Sequence, residues 1–141
     1  MPEETHKILL VEDNESDVVL FKTALERCPV PTQCEVLHES DQIAKLLYKA
    51  PPHENAFTPD LIVVDYKMPI DGGIALTEVK ASPDFMHLPI IVLTGSPNPK
   101  DHRDAYLRHA NICFRKPTNL TQYLDLVCFM MDLWFKRACR P

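Results

Sequence analysis

Four apolar runs in this chain each end on residues able to do chemistry. Ile8 to Val11 closes in Glu12-Asp13-Asn14, Leu61 to Val64 in Asp65, Ile90 to Leu93 in Thr94, and Ile112 to Arg115 in Lys116-Pro117. Carboxylates held close together repel one another, and at least one pKa rises unless a cation intervenes. A hard divalent ion answers that need, since Mg2+ prefers one or two carboxylates together with water and phosphate oxygens. Thr94 adds a hydroxyl donor, and Lys116 a compact positive charge suited to a phosphoryl oxygen. The set describes phosphoryl transfer with Asp65 as nucleophile, because a carboxylate can attack phosphorus and form an acyl phosphate. Taken singly each residue has a plainer explanation. An acidic pair after a strand commonly serves a helix N-terminus, a threonine there forms turns, and a lysine before proline is simply exposed. Only their conjunction, in this order, favours a site.

The elements that must position these residues can be read from the same pattern. Short apolar runs bounded by turn signals are strands buried on both faces. Strands are expected at Ile8 to Val11, Cys34 to Leu37, Leu61 to Asp65, Ile90 to Leu93 and Ile112 to Arg115. Between them, apolar spacing of the 3.6 kind predicts a helix from Glu15 to Arg27, stopped by Pro29 and Pro31. A second helix follows, with Ser40 or Asp41 as N-cap and Ile43, Ala44, Leu46 and Leu47 inward. A third carries Ile74, Leu76, Thr77, Val79 and Lys80. A fourth opens at Pro97 and Pro99 and runs to His109. A long fifth, capped by Thr118 or Asn119, extends to about Ala138. The prolines of 50–59 mark a surface loop. Strand and helix alternate throughout, which predicts an α/β fold: a doubly wound, five-stranded parallel sheet in the order 2-1-3-4-5, flavodoxin-like. In such a sheet all four chemical exits share the carboxyl edge, where ligands bind. The chain's 3 glycines, Gly72, Gly73 and Gly95, all follow strand ends, as expected where backbone turns tightly or approaches a ligand.

Composition narrows the function classes. The 141 residues suit one domain over 1–141 with a full core and no output domain. A net charge of −5 speaks against a broad nucleic-acid surface. No apolar run is long enough for a membrane span. The 5 cysteines form no CxxC and match no zinc spacing, so free thiols in a reducing cytoplasm are expected. The histidines form no metal-spaced pair and read as surface or structural.

With these residues in view, the chain resembles, end to end, the receiver domain of two-component response regulators. The resemblance lies in Ile-Leu-Leu-Val-Glu-Asp-Asn at 8–14, Asp-Leu-Ile-Val-Val-Asp-Tyr-Lys-Met-Pro at 60–69, Ile-Val-Leu-Thr-Gly at 91–95 and Lys116-Pro117. It implies Asp65 as the phosphorylated residue, with Asp13 and Asp65 binding Mg2+ directly, Glu12 through water, and the backbone carbonyl of Lys67 completing the protein ligands. Thr94 and Lys116 would contact the phosphoryl group, and the Lys116–Pro117 peptide would be cis. The donor would be a phosphohistidine on a sensor histidine kinase. The Pro-rich loop 50–59, Asn119-Leu120-Thr121-Gln122 and the aromatic last helix further resemble stand-alone regulators of bacterial phytochrome kinases.

One position departs from the family pattern: three residues before Lys116, where Tyr or Phe is usual, stands Cys113, with Phe114 beside it. A Tyr-type switch is then not expected, and signalling is expected to rely on loop and dimer changes. The last helix, from Tyr123 to Phe135, carries more apolar residues than one buried stripe needs. It predicts a homodimer through the helix 4–strand 5–helix 5 face. The Met130-Met131 pair reads as helix packing. Three other readings compete. An FMN-binding flavodoxin-like domain lacks its phosphate loop here, since Glu12-Asp13 would repel phosphate. An unphosphorylated interaction module would not need the full set of acids, Thr94 and Lys116. A small hydrolase on this fold lacks an evident acid/base helper.

Overall fold

The structure is a computed structural model that describes residues 5–65, 76–107 and 109–138. Five strands, β1 (His6–Val11), β2 (Thr32–Leu37), β3 (Leu61–Asp65), β4 (Ile90–Thr94) and β5 (Ile112–Arg115), form one sheet in the order β2-β1-β3-β4-β5. Every neighbouring pair is parallel. Around the sheet lie α1 (Glu15–Arg27), α2 (Ile43–Leu47, preceded by a 3-10 turn at Ser40–Gln42), α3 (described over 76–81), α4 (Pro99–Leu107) and α5 (Leu120–Asp132).

The strands alternate their side chains between two faces, and this divides the core in two. Leu9, Val11, Ile62, Val64, Ile90 and Val92 face the side covered by α2, α3 and α4, through Leu46, Val79 and Ala105. Ile8, Leu10, Leu61, Val63, Ile91 and Leu93 face the side covered by α1 and α5, through Phe21, Ala24, Val127, Met130 and Met131. Right-handed crossovers place α1 and α5 together because the winding reverses between β1 and β3. That reversal opens a crevice at the carboxyl ends of β1 and β3. Met130 and Met131 are wholly buried, as helix packing predicts.

Several local expectations are corrected, while the last helix does run to Ala138, in a changed form. Ser40 and Asp41 do not cap α2; they lie within the 3-10 turn, whose preceding residue Glu39 makes no side-chain cap bond. α4 ends at Leu107 rather than His109, which takes a positive φ of 75°. α5 is regular only to Asp132 and continues as a wide π turn, Leu133–Arg137, closed by the Ala138 N–H on the Leu133 carbonyl. In that turn Phe135 stacks on His6 at 4.1 Å between ring centres. The cis peptide among the described residues is Pro51–Pro52, so Lys116–Pro117 is not cis; the trans form is the ordinary preference even before proline. Gly95 has no positive φ, and a Cβ built on it would meet nothing within 4 Å; neither tight turning nor close approach explains it. Ile74, Gly72, Gly73 and Lys67 lie outside the described residues.

The expectation of free thiols fails for one pair. Cys28, at the C-terminus of α1, is disulfide-bonded to Cys128 on α5. The two helices pack together on one face of the sheet, while 100 residues separate the cysteines in sequence. Cys34 and Cys113 are free. Among the described residues no helix is long and apolar enough to cross a membrane.

Candidate functional site

The β1 exit turns directly into α1, and local chemistry fixes the turn. Asn14 is the N-cap, its side-chain oxygen accepting the Asp17 N–H at 3.1 Å. Glu15 and Asp17 occupy the first turn, where the helix dipole favours negative charge. The Glu12 carboxylate is buried and accepts the Asn14 N–H at 2.9 Å. Behind it, His38 Nδ1 donates to the Glu12 carbonyl at 3.2 Å, and the Glu12 N–H continues the ladder to the Leu37 carbonyl. Glu12 is therefore held by the strand ladder, by the His38 ring and by the turn into α1.

Asp65 ends β3, with a side chain only 4% exposed. Lys116 reaches it across β4. The Lys116 N–H bonds the Thr94 carbonyl at 2.7 Å, which extends the β4–β5 ladder by one residue and seats the lysine beside the sheet edge. From there Lys116 Nζ donates to Asp65 Oδ2 at 2.6 Å and lies 3.4 Å from Asp17 Oδ2. The ammonium also sits 5.9 Å from the ring centre of Tyr123, a cation–π distance. Burial, and then the negative charges of Asp65, Asp17 and Glu12, push the Tyr123 phenol far above its usual range. Thr94 is buried at the end of β4 and its hydroxyl accepts the Ser96 N–H at 3.1 Å.

Glu12, Asp17 and Asp65 each offer a carboxylate oxygen, and these oxygens lie within 4.8 Å of one another. Carboxylate oxygens are the ligands a hard divalent cation takes, so the donor set suits such an ion. Of the residues expected from sequence, the structure brings together Glu12, Asp65 and Lys116 and sets Thr94 on the neighbouring strand end. Asp13, in the bend after β1, is exposed and is not one of the three acids whose oxygens converge. The Lys67 carbonyl lies outside the described residues. Asp17 was missed by the sequence reading. Its signal was available: an acid at the third position after an Asn cap projects back over the helix N-terminus, toward the strand end it follows.

A partly buried acidic cluster at the switch point of a parallel 2-1-3-4-5 sheet, with one lysine between two of its acids, invites comparison with known proteins. The response regulator receiver domain family matches residues 8–127. The chain belongs to that family. Among relatives, the response regulator Rcp1 of Synechocystis sp. is 30% identical over 135 residues, which covers 95% of this chain and 92% of that protein. The crystal structure of the phosphorylated cyanobacterial phytochrome response regulator RcpA superposes with a TM-score of 0.88 at 32% identity, covering 98% of this chain and 99% of that one. The Mn2+-bound form of Rcp1 gives 0.84 at 30% identity, covering 96% and 99%. This receiver domain therefore belongs to two-component signalling, and its similarity to phytochrome response regulators spans nearly its whole length.

Proposed function

We propose that this receiver accepts a phosphoryl group from a phosphohistidine on Asp65 and relays a signal by changing what its surface binds. The observation that carries the reading is the buried Asp65 carboxylate, flanked by two further acids and held by Lys116 at 2.6 Å. In the transfer, an Asp65 oxygen attacks phosphorus while the bond to the donor imidazole nitrogen breaks, and the electron pair leaves with that nitrogen. Lys116 moves its donor bonds from Asp65 to a phosphoryl oxygen, placing a compact charge where negative charge accumulates. Thr94 supplies a hydroxyl donor from the adjacent strand. Glu12, Asp17 and Asp65 would hold Mg2+, with Asp13 and the Lys67 carbonyl completing the set expected from the family. When bound, the ion offsets repulsion between the incoming phosphoryl oxygens and the acids. No activity beyond its own phosphorylation and dephosphorylation is part of this reading.

A sensor histidine kinase of the phytochrome class is the proposed donor, supported by the 30% and 32% identities to Rcp1 and RcpA across nearly whole chains. A cytoplasmic location follows from the donor, because a phosphohistidine is made from ATP; the Cys28–Cys128 bond removes the argument from free thiols. The proposed readout surface is the α4–β5–α5 face. Leu107, Leu120 and Phe129 are all more than half exposed there, and Phe114 meets Phe129 edge to face at 6.3 Å. Large apolar side chains left exposed on α4 and α5 support a homodimer through this face.

Incubation with Mg2+ and phosphoramidate, followed by intact mass, tests the reading. One added phosphoryl group is expected, absent in Asp65→Asn and much reduced when Mg2+ is chelated. An Asp65→Asn protein that is phosphorylated like the wild type would overturn it.

A further inference from the structure

A second polar arrangement sits where β4 hands over to α4, and Ser96 is its centre. The Ser96 N–H donates to Thr94 Oγ1 at 3.1 Å, its hydroxyl donates to Asp101 Oδ2, and its carbonyl accepts His102 Nε2 at 2.7 Å. The Asn98 N–H bonds Ser96 Oγ at 3.2 Å as well. A carbonyl only accepts, so His102 Nε2 carries a proton; the Nε2–H tautomer and the imidazolium both satisfy this. Ordinary capping accounts for part of the arrangement, since Asn98 Oδ1 takes the Lys100 N–H at 2.9 Å. His102 has no share in that cap. It reaches back past the helix start to a loop carbonyl.

The other end of the arrangement is the proposed phosphoryl contact. The Thr94 backbone is pinned: it pairs with Arg115, and its carbonyl takes the Lys116 N–H. Its side chain is what can turn. Among the described residues the Thr94 hydroxyl bonds Ser96 and neither Asp65 nor Lys116. A Thr94 hydroxyl turned onto a phosphoryl oxygen must pivot about, or leave, the Ser96 N–H. Anchors on Ser96 oppose that movement.

We infer that His102 and Asp101, acting through Ser96, hold the Thr94 hydroxyl on the loop side, and that His102 thereby slows the uptake of a phosphoryl group. His102 is a positioning residue, and the inference rests on Asp65 being the acceptor. It also gives Thr94 a hydrogen-bonded route into α4 that does not use position 113, where Cys113 stands.

The experiment measures phosphoryl uptake from phosphoramidate and Mg2+ by intact mass in the wild type, His102→Ala, His102→Gln and Asp101→Ala, with melting midpoints taken in parallel. The glutamine amide nitrogen matches the reach of Nε2 and can donate to the Ser96 carbonyl. Loss of one such bond is expected to speed uptake about fivefold in His102→Ala, with a similar gain in Asp101→Ala and a wild-type rate in His102→Gln. A merely structural role would lower the midpoint without raising the rate. Uptake in His102→Ala at or below the wild-type rate, or His102→Gln as fast as His102→Ala, overturns the inference and leaves the Asp65 reading intact. A wild type that takes up nothing overturns both.

Discussion

Lys116 holds a place that water would otherwise have to fill, between the buried Asp65 carboxylate and the half-buried Asp17 carboxylate. A buried charge that loses its partner costs several kcal/mol, so the acids and the lysine must be considered together. Asp17 is the test of how far the cluster extends beyond the residues the sequence made legible. Asp17→Asn is expected to weaken Mg2+ affinity about tenfold or more, measured by titration calorimetry. An unchanged affinity would make Asp17 a partner of Lys116 alone. Tyr123 reports on the same charges. Its phenol is pushed up by burial and then by Asp65, Asp17 and Glu12, so the fold favours the neutral form. That contribution to stability is whole below the ordinary tyrosine value of about 10 and is lost as pH climbs through the folded value. In an absorbance titration, 1 of the 4 tyrosines should therefore ionise last, and earlier in Asp65→Asn than in the wild type. All four ionising together at the ordinary value would contradict the electrostatics described. Asp65, Thr94 and Lys116 were legible because each ends an apolar run. Asp17 was missed although the Asn14 cap pointed to it, because its role arises from the direction a helix start gives it and not from the end of an apolar run.

At the scale of elements, periodicity located the strands and most helices, including the extent of the last one to Ala138, and missed the wide form of its final turn and the start of α2. α5 continues past Asp132 as a wide turn that seats Phe135 against His6, a contact between the two ends of the chain that no local pattern carries. The α2 start was misread because Ser40 and Asp41 are good capping types placed inside a 3-10 turn. The pairing of Cys28 with Cys128 was illegible for the same reason: α1 and α5 become neighbours only after the sheet's winding reverses. That bond closes a loop of 100 residues and restricts the unfolded chain accordingly. Reduction is expected to lower unfolding stability by about 2–4 kcal/mol, seen as a lower denaturant midpoint in dithiothreitol. Cys128→Ser should show the lower midpoint already and no response to the reductant. A wild type indifferent to reductant would argue that the bond contributes nothing to stability.

Across the whole molecule, the carboxyl edge of the sheet carries the acids and the lysine, while Leu107 on α4 and Leu120 and Phe129 on α5 are left exposed. The proposed dimer would use the exposed Leu107, Leu120 and Phe129, and a net charge of −5 opposes it only modestly. Sedimentation should show a dimer at micromolar concentration that Phe129→Asp converts to monomer; a monomeric wild type, with or without phosphoryl mimicry, would remove the dimer from the account. The parallel order was legible because alternation of strand and helix permits few topologies. Which acids converge was legible only in part, since convergence depends on side-chain direction as well as on strand order. The central claim is that Asp65 receives the phosphoryl group. Borohydride reduction of the protein, trapped immediately after exposure to Mg2+ and acetyl phosphate, converts an aspartyl phosphate to homoserine. Peptide mass spectrometry should then find homoserine at position 65. Homoserine at another acid, such as Asp13 or Asp17, or at none while the phosphoryl group is demonstrably taken up, would contradict the account.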